Sequence, residues 1–217
     1  MAENYKVPRA KTYEDISRIT FKEIPFEGEW LAHLGRPELG NSHWIIRGES
    51  GHGKTSYALQ VAKEISKYQR VHYNSLEEGT KKSFKMALDR ENIKAIKSKF
   101  TYEKETLEQL TKRLDRPKQP KVIIIDSVQY FFRGKRQQHY FDFINRFQNT
   151  TFIWICQMEN GKPKGAIASD VTFDCDIVID VQDFKATIYK NRFMAYEPKI
   201  ISQEKHNIRN PEVIQKG

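Results

Sequence analysis

Residues 48–55 read Gly48-Glu49-Ser50-Gly51-His52-Gly53-Lys54-Thr55, and this stretch decides the fold of the 217-residue chain. It fits the pattern G-x-x-x-x-G-K-[ST], a loop that wraps backbone N–H groups around phosphate oxygens. The apolar run at 43–47 predicts a short buried strand before it, and the apolar spacing at 56–65 predicts a helix after it. Strand, loop and helix are the context that the pattern requires, so the sequence predicts a bound nucleoside triphosphate.

Each part of this loop has an expected task. The glycines let backbone N–H groups close around the β-phosphate, and the dipole of the following helix favours its negative charge. Lys54 would reach the β- and γ-phosphates, and the Thr55 hydroxyl would ligate Mg²⁺. The expected nucleotide contacts are Gly48, Glu49, Ser50, Gly51, His52, Gly53, Lys54, Thr55 and Ser56.

Composition narrows the class of protein. The formal charge of +9 and the isoelectric point near 9.4 favour a polyanionic partner, although lysines that only keep a surface solvated are the alternative. Cys156 and Cys175 lie in apolar runs, which indicates buried thiols in a reducing cytosol rather than a disulfide or a metal pair. No apolar signal segment or membrane span is visible, so we expect a cytoplasmic protein that does not contact a membrane.

The order of predicted elements indicates an α/β fold. Strands and helices alternate from residue 43, which favours a mostly parallel sheet with helices on both faces. Two β runs between 177 and 189 predict antiparallel strands at the C-terminal end. We therefore expect a lead-in packed on the core at 1–42, the core at 43–202, and a loosely held basic tail at 203–217.

An acidic residue follows the apolar strand at 122–125. Asp126 comes at the end of this strand, where α/β sheets place their ligands. We expect it to bind Mg²⁺ through a water or together with Thr55. A turn residue or a helix cap is the alternative for an isolated aspartate.

A family resemblance becomes visible at Tyr73-Asn74-Ser75-Leu76-Glu77-Glu78-Gly79. Together with the loop at 48–55 and Ile124-Ile125-Asp126-Ser127, this segment resembles the RecA-like P-loop NTPases (ATPases), especially the RadA and DnaB branches, over roughly residues 43–193. The chain looks like a stand-alone core of the kind found in phages and mobile elements. The resemblance implies that Glu77 is the general base for hydrolysis, with Glu78 as second choice. Acids that only cap the next helix are the alternative.

The same resemblance implies roles for three further residues. Gln157, at the end of the strand at 151–156, would sense the γ-phosphate. Lys190 and Arg192 in Lys190-Asn191-Arg192-Phe193 would enter the ATP site of a neighbouring subunit, which implies a homo-oligomer with ATP at its subunit interfaces. Basic residues that are simply solvated remain the alternative for this pair.

The same resemblance implies that two cationic segments face DNA, since RecA-like proteins have their DNA-facing loops at these two places. Arg133, Lys135 and Arg136 follow the Asp126 strand beside two phenylalanines, and Lys162 and Lys164 follow the Gln157 strand. Cations pair with phosphates and aromatic rings stack on unpaired bases, so we expect sequence-independent binding of single-stranded DNA. The alternative is that Phe131 and Phe132 belong to the core and that the cations begin a solvated helix.

These observations lead to one functional prediction and one alternative. We expect a RecA-like ATPase, with ATP and Mg²⁺ as its ligands, that acts on DNA in replication, recombination or repair as an oligomer. The alternative is a nucleotide-gated clamp or loader that recruits a DNA enzyme and turns over little ATP.

Overall fold

One mostly parallel sheet organises the chain. The structure, a computed structural model, describes residues 8–77 and 79–211. Within these residues the strands are β1 His43–Gly48, β2 Val71–Ser75, β3 Phe100–Glu103, β4 Val122–Asp126, β5 Thr151–Glu159, β6 Lys162–Pro163, β7 Ile177–Gln182, β8 Lys185–Asn191 and β9 Lys199–Ile200. The helices are α1 Tyr13–Ser17, α2 Gly28–Leu34, α3 Lys54–Ile65, α4 Lys82–Arg90, α5 Leu107–Leu114, α6 Val128–Phe131, α7 Gln137–Arg146, α8 Ala166–Asp174 and α9 Gln203–Arg209, with a 3₁₀ turn at Ile93–Ile96.

The strand order is β3-β2-β4-β5-β1-β7-β8-β9, with β6 paired to β5. The strands from β3 to β7 in this order run parallel, whereas β8 and β9 are antiparallel to their neighbours. The predicted fold class, with antiparallel strands at the C-terminal end, is therefore confirmed. β5 lies between β1 and β4, which places the end of β5 between the phosphate loop and Asp126.

Helices cover both faces of the sheet, as predicted. Successive strand residues point to opposite faces, so Trp44 and Ile46 join one apolar cluster with α3, while Ile45 joins the other. The second cluster holds the buried side chains of α6, α7 and α8. Of these three helices, α6 and α8 are not evident from the sequence pattern, because both are short and their polar and apolar residues do not alternate clearly.

The two ends of the chain differ from the predicted organisation. Ile24, Phe26 and Leu34 are buried, so the lead-in packs on the core from about residue 24, whereas Tyr13 is 80% exposed. Residues 203–209 form α9 instead of a loose tail, and the ring of His206 hydrogen-bonds the carbonyl oxygen of Asp183 at 2.7 Å. Residues 1–7 and 212–217, which belong to these two predicted segments, lie outside the described residues.

The cysteine prediction is confirmed for both thiols. Cys156 and Cys175 are buried and free, and burial raises the pKa of each thiol above its usual range. None of the helices in the described part of the chain is long and apolar enough to cross a bilayer.

Candidate active site

The predicted phosphate loop joins β1 to α3 at the carboxyl edge of the parallel strands. Gly51 and Gly53 have φ angles of +80° and +106°, a left-handed conformation that glycine adopts without strain. Gly53 is the N-cap of α3 and has no side chain to cap it, so the first N–H groups of the helix can bind an anion. The backbone at this point is therefore suited to hold a phosphate group.

A cavity of about 240 Å³ lies over the loop and gathers most of the predicted site residues. It is lined by Ser50, Gly51, Gly53, Lys54, Thr55, Ser56, Glu77, Arg90, Asp126, Ile155, Gln157, Phe184 and Lys205. Gly48, Glu49 and His52, also expected to contact the nucleotide, line a different cavity, together with residues of β7.

Lys54 and Asp126 both line the first cavity. The Lys54 ammonium donates a 2.7 Å hydrogen bond to the carbonyl oxygen of Glu49. Burial lowers the pKa of Lys54, while the carboxylates of Asp126 and Glu77 act against this shift. An anionic ligand between the loop and Lys54 would offset the cost of burying this charge.

The oxygen ligands that Mg²⁺ prefers are present beside the loop. The Thr55 hydroxyl and the Asp126 carboxylate both line the cavity. Asp126 is buried at the end of β4, and the Tyr73 hydroxyl donates a 2.9 Å hydrogen bond to its Oδ2. A carboxylate oriented in this way fits a Mg²⁺ ion bound together with phosphates, so the residues are compatible with the expected metal.

Glu77 and Gln157 meet in the cavity. The Gln157 side-chain amide donates a 2.7 Å hydrogen bond to Oε1 of Glu77. The two residues are brought together because β2 pairs with β4, and β4 pairs with β5. Glu78, the second candidate for the base, lies outside the described residues.

Three lining residues have no recognisable sequence signal. The guanidinium of Arg90, at the end of α4, donates a 2.8 Å hydrogen bond to the Ser56 hydroxyl. Phe184 lies in the turn between β7 and β8, and Lys205 lies on α9. Each reaches the cavity through long-range packing, and none stands in a motif, so sequence spacing could not identify them.

The two cationic segments border a separate cavity of about 540 Å³. Arg133, Lys135 and Lys164 line it, while Arg136 and Lys162 are exposed nearby at the start of α7 and on β6. Lys135 forms a 2.5 Å ion pair with Glu108, and this hydrogen bond lowers the pKa of Glu108 to about 2.

The stacking role expected for Phe131 and Phe132 is wrong. These side chains are only 3% and 4% exposed, and both pack on Trp154 in the core. Their apolar rings are more stable in the core than in a solvated loop. Tyr130, which is 43% exposed and lines the cavity, is the aromatic side chain available to a ligand there.

The Gln129 side chain connects α6, which leads into the first cationic segment, to the second segment. The Gln129 amide donates to the carbonyl oxygens of Gln157 and Lys164, each at 3.1 Å, and its Oε1 accepts from the Gln157 N–H at 3.2 Å. Gln157 lines both the cavity over the phosphate loop and the cavity between the cationic segments. The two cavities therefore share a wall.

Lys190 and Arg192 lie near the amino ends of the parallel strands, away from the phosphate loop. Because β8 is antiparallel, Asn191 pairs with Ile177 near the start of β7, whereas the phosphate loop follows the end of β1. Lys190 donates to the carbonyl oxygen of Phe173 at 3.0 Å, and Arg192 pairs with Asp176 at 3.3 Å. A strand of six residues spans about 17 Å, so neither cation lies at the phosphate loop of its own chain.

Comparison with known proteins identifies a similar fold and a matching protein family. No curated protein sequence matches the chain. Among solved structures, the flagellar accessory protein FlaH from Methanocaldococcus jannaschii is similar in fold, with a TM-score of 0.57 and 16% sequence identity, over 83% of this chain and 97% of that chain. A model of the ATPase family associated with various cellular activities (AAA) matches residues 44–169, which include the phosphate loop, Glu77, Asp126 and Gln157. The chain therefore belongs to the ATPase family associated with various cellular activities.

Proposed function

We propose that the chain is a Mg²⁺-dependent, RecA-like ATPase that works as a homo-oligomer on single-stranded DNA, in replication, recombination or repair. One observation carries this proposal. Gln157 lines both the cavity over the phosphate loop and the cavity between the cationic segments. A change at the γ-phosphate can thus reach the segments that would hold DNA through a single residue.

The hydrolysis step needs a water molecule held in line with the γ-phosphate. Lys54 and the N–H groups at the start of α3 would hold the phosphates, and Thr55 and Asp126 would hold Mg²⁺, which neutralises charge on the phosphate oxygens. The Glu77 carboxylate, on the wall near Asp126, would orient the water and accept its proton.

The hydrogen bond between Gln157 and Glu77 would serve as the sensor. With a γ-phosphate present, the Gln157 amide would donate to a phosphate oxygen, and Glu77 would turn to the water. After phosphate release the amide would return to Glu77, as the structure has it at 2.7 Å. Since Gln129 holds the backbone of Gln157 and the carbonyl of Lys164, this exchange would move the second cationic segment.

The cavity between the cationic segments suits a single strand of nucleic acid. Arg133, Lys135 and Lys164 offer charges to phosphates, and Tyr130 offers a ring to an unpaired base. The Lys135–Glu108 pair is exposed and contributes only about 0–1 kcal/mol, so a phosphate can replace the carboxylate. Contacts to phosphates carry no sequence information, which favours sequence-independent binding.

Lys190 and Arg192 support the oligomer. They lie at the edge of the sheet opposite to the phosphate loop, where Phe173 and Met194 are 87% and 80% exposed. A second copy stacked head to tail would cover these apolar side chains and bring the two cations to its neighbour's γ-phosphate.

The test is ATP turnover with and without single-stranded DNA, for the wild type and for Lys135→Ala combined with Arg136→Ala. We expect DNA to stimulate the wild type and not the double variant. Lys112→Ala combined with Arg116→Ala is the matched control, since it removes two charges from an exposed part of α5 and the segment after it. This control should keep the stimulation.

Two outcomes would contradict the proposal in different ways. If the wild type hydrolyses ATP at the same rate with and without DNA, the DNA-acting ATPase is excluded and the nucleotide-gated clamp or loader becomes the better description. If the wild type binds no ATP, the assignment of residues 48–56 is itself wrong.

A further inference from the structure

Helix α9 packs beside the turn between β7 and β8. The His206 ring donates to the carbonyl oxygen of Asp183 at 2.7 Å, and the Arg209 guanidinium lies 3.7 Å from the Asp183 carboxylate. Just before the helix, the N–H of Ile201 donates to the carbonyl oxygen of Phe184 at 2.7 Å. The turn at Asp183 and Phe184 therefore holds α9 in place.

The same turn contacts the phosphate loop. The N–H of Phe184 donates to the carbonyl oxygen of His52, and the N–H of Asp183 donates to Nδ1 of His52, both at 3.0 Å. The Phe184 ring packs on Gly53 so closely that a Cβ at Gly53 would lie 2.8 Å from the ring. Loop, turn and α9 thus form one continuous set of contacts.

Lys205 extends from α9 into the cavity over the phosphate loop. Its ammonium lies 5.0 Å from the centre of the Phe184 ring, and it lines the cavity together with Lys54 and Thr55. Within residues 8–77 and 79–211, no ion pair joins Lys205 to a carboxylate. A half-buried cation that shares a cavity with a phosphate loop is suited to an anionic ligand.

The position of Lys205 indicates which part of the ligand it meets. Glu77 and Gln157 mark the side of the γ-phosphate, while Phe184, under Lys205, packs on Gly53 at the start of α3. The backbone N–H groups of the phosphate loop would hold the α- and β-phosphates, which ATP and ADP share.

We propose that Lys205 is a nucleotide-binding residue, which donates to the phosphates that ATP and ADP share and so holds α9 against the cavity. This inference rests on the proposed nucleotide site and adds the C-terminal segment to it. Lys205 packs on the turn after β7, and β7 lies two strands from β5, which carries the Gln157 partner of Glu77. Lys205 therefore binds nucleotide both before and after hydrolysis. Nucleotide of either kind therefore stabilises the docked position of α9.

The first measurement is the dissociation constant for ADP, by titration calorimetry. We expect Lys205→Gln to weaken ADP binding by about 10- to 100-fold, the effect of losing one hydrogen bond to a charged group. Lys185→Gln is the matched control, because it removes a charge from β8 close to the same turn without lining the cavity. It should keep the affinity of the wild type.

The second measurement is hydrogen exchange of the α9 amides with and without saturating ADP. We expect ADP to slow exchange in the wild type and in Lys185→Gln, and to leave exchange in Lys205→Gln unchanged at full occupancy. A purely structural lysine would alter exchange equally with and without ADP. Lys205→Gln could weaken ADP binding only because it unfolds at a lower temperature than the wild type without nucleotide. In that case the ADP affinity of Lys205→Arg is the deciding measurement. An affinity restored to the wild-type value supports the proposal, and an affinity as weak as that of Lys205→Gln overturns it.

Failure of this inference can be told from failure of the proposed function. A wild type that binds ADP, with equal affinity and equal α9 protection in Lys205→Gln, would overturn the role of Lys205 and leave the nucleotide site intact. A wild type that binds neither ADP nor ATP would overturn both.

Discussion

The contact between Glu77 and Gln157 is the central feature at the scale of single residues. A carboxylate that accepts a 2.7 Å hydrogen bond from an amide is held in one orientation. In the proposed mechanism this bond keeps the base away from water until a γ-phosphate competes for the amide. The sequence predicts Glu77 and Gln157 separately as site residues, but it does not predict that they contact each other.

Replacing the base tests this mechanism directly. We expect Glu77→Gln to lower the rate constant of ATP hydrolysis by about 10²–10⁴-fold, because general-base catalysis contributes this much, and to leave ATP bound. Single-turnover hydrolysis and ATP binding should be measured together. Glu103→Gln, an exposed change on β3, is the control. Hydrolysis at the wild-type rate in Glu77→Gln would contradict the assignment.

Gly48 shows why the first glycine of the loop is required. A Cβ at this position would lie 2.2 Å from the carbonyl oxygen of Val181 on β7, so the residue must be small for the strands to pack. We expect Gly48→Ala to reduce the free energy of unfolding by about 1–3 kcal/mol without nucleotide. Urea denaturation measures this. A free energy of unfolding that Gly48→Ala leaves unchanged would contradict the explanation.

At the scale of elements, hydrogen bonds join the segment after β4 to the segment after β5. Gln129, at the start of α6, hydrogen-bonds the backbone of Gln157 and Lys164. The segments face a common cavity, and an ion pair to α5 holds Lys135 at its edge. The net charge of this surface is therefore set in part by an acid on another helix.

Removing that acid should strengthen DNA binding. We expect Glu108→Gln to free Lys135 for a phosphate, raising the affinity for single-stranded DNA and steepening the slope of log K against log salt by about 0.7. Fluorescence anisotropy over a range of salt concentrations measures both quantities. Glu14→Gln, on α1, removes the same charge from a distant exposed site and should leave the slope unchanged. A slope that is equal in Glu108→Gln and wild type would contradict the expectation that Glu108 keeps Lys135 from a phosphate.

At the scale of the whole molecule, the proposed catalytic groups occupy two opposite edges of one sheet. The phosphate loop lies at the carboxyl edge, and Lys190 and Arg192 lie at the amino edge. A single copy cannot bring the two sets together, whereas a head-to-tail pair of copies can.

Mixing two inactive variants tests the head-to-tail pair. Glu77→Gln lacks the base and Arg192→Ala lacks the cation, so each alone should hydrolyse little ATP. In an equal mixture an interface formed by the intact Glu77 of one copy and the intact Arg192 of the other is complete. About a quarter of randomly formed interfaces meet this condition, so we expect about a quarter of the wild-type rate. A mixture no more active than its components would contradict sharing of the site.

Buried histidines should make the stability of the whole chain depend on pH. Burial lowers the pKa of His33, His43 and His72 below 6.5, although Asp174 and Asp176 act against this shift at His43. The unfolded chain then binds more protons than the folded one in mild acid, so the free energy of unfolding should fall as the pH drops below about 6.5. Urea denaturation between about pH 7.5 and 5.5 measures the slope. His43→Phe keeps the packing on Phe152, and we expect it to make the slope of the unfolding free energy against pH shallower. An unchanged slope would contradict a contribution from His43.

Much of the fold could be predicted because its signals are local. The strand before the phosphate loop, the glycines within it and the helix after it depend on neighbouring residues. The alternation of strands and helices likewise implied a parallel sheet, which the structure confirms. Asp126 at the carboxyl end of its strand follows from the same reasoning.

Other features could not be predicted, because they depend on pairing between distant parts of the chain. The sequence by itself determined the phosphate loop, the α/β class and the strand ends that carry Glu77, Asp126 and Gln157. Only the tertiary structure decided that β5 inserts between β1 and β4, that Phe131 and Phe132 are core residues, and that α9 brings Lys205 to the cavity. The physical reason is that conformational preference acts over a few residues, whereas strand order and burial depend on the packing of the whole chain.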